Sequence, residues 1–224
     1  MTEARIAIVD VGVGNLRSVE RALRRAMPVG SDSLVLTRDP GIVREARAVV
    51  FPGQGAFGDC MKTLGRDGGA LARTITDGIT AGRPYLGICL GLQVLFERSD
   101  EAPGASGLGV FQGTVRRLRG GTMGSDPVAK VPHVGWNTVV PRQANPTARR
   151  VFSSGPGEYF YFVHSYHVVP QDEGLVAGTS THGETFVSAV ARGSVLGVQF
   201  HPEKSQTAGL SLLERYVTEV LSCG

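Results

Sequence analysis

Apolar residues fall in short runs through the first half of the chain, separated by stretches with a helical repeat. Ile6-Ala7-Ile8-Val9 is the first run. Leu16, Val19, Leu23 and Ala26 then share one face of a helix that ends near Met27-Pro28. Residues 34–36 and 48–51 read as the next two strands, and 59–64 and 69–78 as helices. Tyr85-Leu86 opens a fourth strand that turns into a helix continuing over 92–96. Runs this short and uniformly apolar suit strands buried on both faces, so this half reads β-α-β-α-β-α-β-α.

Past Ser99 the pattern changes. Strand-like runs recur at 111–118, 134–140, 159–169, 175–179, 185–190 and 196–200, punctuated by glycine and proline. They predict antiparallel hairpins and sheet extensions. A closing helix spans 205–220, its face marked by Leu210, Leu213, Tyr216 and Val217. No internal repeat, low-complexity tract or linker interrupts the series, so 1–224 reads as a single domain.

Composition narrows the function classes. A net charge of +3 is too small to argue for nucleic acid or a membrane surface. No apolar run approaches the ~18 residues of a membrane span. Three cysteines without paired spacing, and a chain that starts straight into a strand, suit a reducing, cytoplasmic location. There is no C-x-x-C, H-E-x-x-H or other metal-ligand cluster, so neither a metal nor a cofactor is expected. The loop Gly12-Val13-Gly14-Asn15 invites a dinucleotide reading, but that fingerprint needs a glycine where Arg17 stands. Asn15 is better placed as a helix N-cap.

Two stretches carry chemistry. Gly87-Ile88-Cys89-Leu90-Gly91 places a cysteine between glycines at a strand-to-helix turn, the pattern of a nucleophile elbow. Side chains at the flanking positions would collide with strand and helix, and the N–H groups of a helix start favour a thiolate. A lone cysteine is more often a small core residue, so the elbow needs a partner. His201-Pro202-Glu203 supplies one, because on an extended backbone the two side chains lie on the same side and Glu203 can orient the His201 ring towards a nucleophile. A third stretch, Pro52-Gly53-Gln54-Gly55, is a glycine-rich loop at the C-terminal end of a strand, where α/β sheets place ligands.

Together these segments, with Leu92-Gln93, resemble the class I (triad) glutamine amidotransferases. Gly12–Asn15, residues 131–137 (Val-Pro-His-Val-Gly-Trp-Asn), 161–166 (Tyr-Phe-Val-His-Ser-Tyr) and Lys204-Ser205-Gln206 further resemble the glutaminase subunits of imidazole glycerol phosphate synthases. Two positions depart from that pattern: Val11, where an aromatic is common, and Gln54, where a small aliphatic is.

The resemblance implies an α/β, flavodoxin-like three-layer fold with a mostly parallel central sheet and an antiparallel extension. It implies Cys89, His201 and Glu203 as the catalytic triad. Backbone N–H groups of Leu90 and, after a peptide flip, Gln54 would hold the oxyanion. Gln93 and the backbone of Gly53, Gly55, Ser165 and Tyr166 would hold glutamine. A (β/α)₈-barrel cyclase subunit would be the partner, forming a heterodimer that receives ammonia through a channel. Asn15, Trp136, Tyr161 and Lys204 are candidates for the docking face, although a lone tryptophan is as readily a core residue. His133 and His164 read as structural. Other ammonia-feeding synthases, a hydrolase or stress protein acting on small electrophiles, and a binding module with a vestigial site remain as alternatives.

Overall fold

In the computed structural model, which describes residues 5–12, 14–28, 33–120, 129–153, 155 and 157–220, the short apolar runs lie at the centre of one sheet. Val13 and Cys223 lie outside the described residues. Strands β1 (Arg5–Val9), β2 (Ser33–Thr37), β3 (Ala48–Gly53) and β4 (Tyr85–Cys89) pair in parallel in the order β2-β1-β3-β4. Alternate residues enter separate cores on the two faces: Ile6, Ile8, Val50 and Leu86 on one, Ala7, Val9, Val49 and Tyr85 on the other. Burial on both sides is why these runs do not alternate with polar residues.

Helices α1 (Leu16–Ala26), α2 (Pro40–Glu45), α3 (Phe57–Leu64) and α4 (Ala70–Thr80) connect them. Asn15 caps α1 as expected, its side chain accepting from the Ser18 N–H at 3.3 Å. The hydrophobic pattern does not reveal α2, a six-residue helix that buries only Val43 and starts from a capping Asp39 and Pro40.

The second half supplies α5 (Leu90–Gln93), β5 (Phe96–Ser99), β6 (Phe111–Arg117), β7 (His133–Pro141), α6 (Pro146–Val151), β8 (Glu158–His164), β9 (Tyr166–Pro170), β10 (Val176–His182), β11 (Glu184–Arg192), β12 (Val195–Val198) and α7 (Gln206–Arg215). β12 inserts beside β4 in parallel, with Val198 opposite Ile88. β11, β10, β7 and β8 then continue the sheet antiparallel. The mostly parallel centre and its antiparallel extension match the expected class.

Three boundaries are corrected. The helix after Cys89, α5, is a single turn, and Phe96 already opens β5. Val94, Leu95 and Phe96 are all fully buried, so periodicity there cannot separate helix from strand. The Val94 and Leu95 carbonyls are instead captured by the N–H groups of Leu108 and Phe111. The run 159–169 is two strands broken at Ser165, β8 pairing with β7 and β9 with β6 and β11. The closing helix gives way to a π-helical turn over Tyr216–Val220. Among the described residues no helix is long and apolar enough to cross a membrane.

Candidate active site

β4 and β12 run side by side, and the segments leaving their C-terminal ends build the site. Cys89 takes φ 54° and ψ −103°, a backbone state that a non-glycine residue adopts only where its surroundings impose it. Packing imposes it here. A Cβ on Gly87 would strike the Gly91 carbonyl, and one on Gly91 the Phe51 carbonyl. Both must be bare for α5 to fold back over β3. Gly53 lies opposite Cys89 in the β3–β4 register, and a Cβ there would sit 2.9 Å from the Leu90 Cβ.

His201 and Glu203 meet by a different route from the extended one expected. Pro202 starts a 3-10 turn, Pro202–Lys204, which carries the Glu203 carboxylate back under the imidazole. His201 Nδ1 lies 2.8 Å from Glu203 Oε1, and the two side chains are only 2% and 3% exposed. The carboxylate accepts, so Nδ1 donates and Nε2 is left for the sulfur. Burial works against a charge on His201. Its hydrogen bonds to Cys89 and Glu203, with their charges, outweigh that and raise it to about 9. Ser205 Oγ clamps the turn, donating to the His201 carbonyl at 2.6 Å and accepting the Tyr161 N–H at 2.9 Å.

Beside the thiol lies a cleft of about 340 Å³ that brings together Gln54, Gly55, Cys89, Leu90, Gln93, Ser165 and Tyr166 from the expected set. Gly53 sits behind it, in β3. Tyr161 and Lys204 form its rim with Val163 and Glu101. Glu101 had no signal in the sequence; its carboxylate accepts the Phe57 N–H at the start of α3 from 44 residues away. Gln199 also went unassigned, although it is one residue from the H-P-E stretch, and its Nε2 lies 3.4 Å from Cys89 Sγ. A larger groove of about 600 Å³ runs between α1 and the start of α7, but neither a thiol nor an imidazole lines it, and its Ser18 and Thr207 hydroxyls have no histidine beside them in that lining to act as base. Chemistry, not size, therefore selects the smaller cleft. The Gln54 side chain enters the site as well as its backbone, with Nε2 3.4 Å from His201 Nε2.

Trp136 is not a core residue: it is 47% exposed. It faces Tyr161 across the β7–β8 register, the rings edge to face at 6.1 Å, and Lys204 Nζ lies 6.0 Å above the Tyr161 ring. Val134 and Tyr159 are exposed on the same pair of strands. Asn15 is exposed at the start of α1. Among the described residues no cluster of His, Cys, Asp or Glu could hold a metal.

His133 and His164 are buried and opposed, Nδ1 to Nε2 at 2.9 Å, and His164 also lines the cleft. Burial pushes His133 down to about 4 and His164 to about 3. In the unfolded chain both take a proton below about 6.5, whereas the folded chain keeps them neutral. The unfolded state thus binds more protons, and stability falls as pH drops below 6.5, by about 1.4 kcal/mol per pH unit for each proton. His201 acts in the opposite sense: its contribution is complete below 6.5 and is lost as pH climbs to about 9. Urea unfolding should show maximal stability near pH 6.5. His133→Gln should flatten the acid limb alone, and an unchanged acid limb would remove His133 as its source.

Comparison with known proteins places this arrangement. The family model described as glutamine amidotransferase class-I matches residues 7–220. Imidazole glycerol phosphate synthase subunit HisH of Thiobacillus denitrificans is 46% identical over 215 residues, 95% of this chain and 90% of that one. The subunit of the same name from Syntrophotalea carbinolica is 44% identical, covering 94% and 98%. That from Pyrococcus furiosus is 42% identical, covering 95% and 97%. Among solved structures, a glutamine amidotransferase superposes with a TM-score of 0.68 at 20% identity, covering 97% and 98% of the two chains. PurLQS from Thermotoga maritima gives 0.67 at 18% identity and 99% of each. At these identities the two structures speak for the fold alone.

Proposed function

The chain belongs to the class-I glutamine amidotransferase family, and from that premise we infer that it is the glutaminase subunit of an imidazole glycerol phosphate synthase. The observation that carries the catalytic reading is the thiol, imidazole and carboxylate assembled beside a cleft edged by Gln93.

Cys89 attacks the side-chain amide carbon of glutamine, and the resulting oxyanion is received by the N–H groups of Leu90 and, after a peptide flip, Gln54. Losing one such donor typically costs ~10²–10³ in rate. His201, protonated at neutral pH, gives its proton to the departing ammonia and leaves a glutamyl thioester. It then takes a proton from water, which releases glutamate. Glu203 holds the ring in the tautomer this needs. Gln93 Nε2 is engaged by the Tyr166 carbonyl and Gln199, which leaves Oε1 to accept from the substrate ammonium. The backbone of Gly53, Gly55, Ser165 and Tyr166 completes the grip.

Ammonia released here passes to a (β/α)₈-barrel cyclase subunit in a heterodimer. There it joins a phosphoribosylated imidazolecarboxamide to yield imidazole glycerol phosphate and aminoimidazole carboxamide ribotide. The exposed Val134, Trp136 and Tyr159 with the half-buried Tyr161 on the same strand pair, Lys204 at the rim of the cleft and Asn15 at α1, make the face offered to that partner. Trp136→Ala should raise the dissociation constant about thirtyfold, as loss of a hot-spot aromatic does, with little change in unfolding midpoint. Equal affinity by titration calorimetry would take Trp136 out of the interface. Buried free thiols at Cys60 and Cys89 fit a cytoplasmic location.

The direct test is glutamate release from glutamine by the purified chain, alone and with the cyclase and its nucleotide substrate. Low activity alone and a large rise in the complex is expected. High activity that the cyclase does not alter would assign the chain to another synthase.

A further inference from the structure

Gln199 is fully buried between β12 and His201. Its side-chain amide touches the nucleophile on one side and Gln93 on the other: Nε2 is 3.4 Å from Cys89 Sγ, and Oε1 is 3.1 Å from Gln93 Nε2. Which end faces the sulfur decides whether the amide helps or hinders a thiolate. The surrounding hydrogen bonds decide it.

A backbone carbonyl can only accept. The Tyr166 oxygen lies 3.1 Å from Gln93 Nε2 and 2.8 Å from His164 Nδ1, so both donate to it. The other N–H of Gln93 is then directed at Gln199 Oε1, and the Gln199 NH₂ is left facing the sulfur. Reversing Gln199 would set two amide nitrogens against each other at 3.1 Å. Reversing Gln93 as well would set oxygen against oxygen at Tyr166.

The direction extends outwards. With Nδ1 committed to Tyr166, neutral His164 accepts at Nε2 from His133 Nδ1 at 2.9 Å. His133 Nε2 in turn accepts from Asn137 Nδ2 at 3.3 Å. A proton on His164 would oppose two N–H groups across that contact, and the burial that holds both rings neutral prevents it.

We propose that Gln199 is a further catalytic residue: its side-chain N–H donates to the Cys89 sulfur and stabilises the thiolate before attack. Gln93 is the positioning residue that fixes the direction of that amide, its own direction being set by the Tyr166 carbonyl. A donor aimed at an anion in a buried site is worth more than the same contact in water. The arrangement also makes Gln93 a link between the substrate cleft and the nucleophile. This inference rests on the reading of Cys89 as nucleophile.

The experiment is the pH dependence of alkylation of Cys89 by iodoacetamide in the full chain, read by peptide mass spectrometry so that Cys60 and Cys223 do not contribute. Gln199→Met keeps the volume and removes the donor. Its inflection should rise by about one pH unit, with alkylation about tenfold slower below it. Gln93→Met leaves Gln199 in place but frees it, and should give a smaller rise in the same direction. Unfolding midpoints identify which variants are folded. An unmoved inflection in folded Gln199→Met overturns the proposal, as it does in folded Gln93→Met should the first variant not fold. Glutamate release by the wild type is measured alongside. A wild type whose Cys89 alkylates with an inflection that Gln199→Met raises, but which releases no glutamate, sinks the glutaminase reading and leaves this one standing. An unreactive Cys89 sinks both.

Discussion

Cys89→Ala is expected to reduce glutamate release from glutamine by at least ~10⁴-fold, in the chain alone and in the complex, because no thioester forms without the sulfur. The backbone gains nothing from the change. Alanine at φ 54° is as strained as cysteine, and the Gly87 and Gly91 contacts that impose the turn are untouched. The fold and the partner surface should therefore survive. Synthesis by the complex from added ammonium salts should continue at close to the wild-type rate, since the second reaction takes place on the other subunit. Both activities are read in one assay series, with glutamine and then ammonia as nitrogen source. Loss of both would refute the division of labour between the subunits.

His201→Ala should also lose roughly 10⁴-fold in glutamate release, as removal of a triad imidazole does. It carries a structural cost that Cys89→Ala does not. Glu203 would be left as a carboxylate only 3% exposed without its imidazole partner, and Oε2 already has no hydrogen-bond partner among the described residues. Breaking a buried pair by removing one member typically costs about 3–5 kcal/mol. Adding Glu203→Gln removes the stranded charge, so the double variant should recover much of the unfolding midpoint and none of the turnover. Turnover retained by His201→Ala would exclude it as acid and base. A double variant no more stable than the single one would show that Glu203 is not ionised opposite the ring.

The legible parts of the site are those whose geometry is local. Gly87 and Gly91 are small because a four-residue turn must fold back on β3, and that constraint is written within five positions. The H-P-E stretch is equally short, although its route differed: the 3-10 turn from Pro202 brings Glu203 under His201 where an extended strand was expected. The strands at 6–9 and 48–51 were legible because burial on both faces leaves an unbroken apolar run. The same property hid the end of α5, since Val94, Leu95 and Phe96 are buried on every side and carry no period. Trp136 was undecidable for a related reason. An aromatic in a strand reads the same whether its face meets the core or solvent, and only the pairing with Tyr161 at the sheet's far edge turned it outwards.

By itself the sequence determined the α/β character, the elbow that presents Cys89, and the imidazole and carboxylate paired in the H-P-E stretch. These come from sterics and hydrogen bonding over a few residues. Only the tertiary structure decided that β12 inserts beside β4, which is what carries His201 to a sulfur 112 positions earlier and Gln199 to the same sulfur from 110. Only it decided the polarity of the amides around Gln93, which is inherited from the Tyr166 carbonyl. Strand pairing across such separations depends on how whole apolar faces fit together. No local pattern records that fit, and the direction of a buried hydrogen-bond network is settled only when every member is in place.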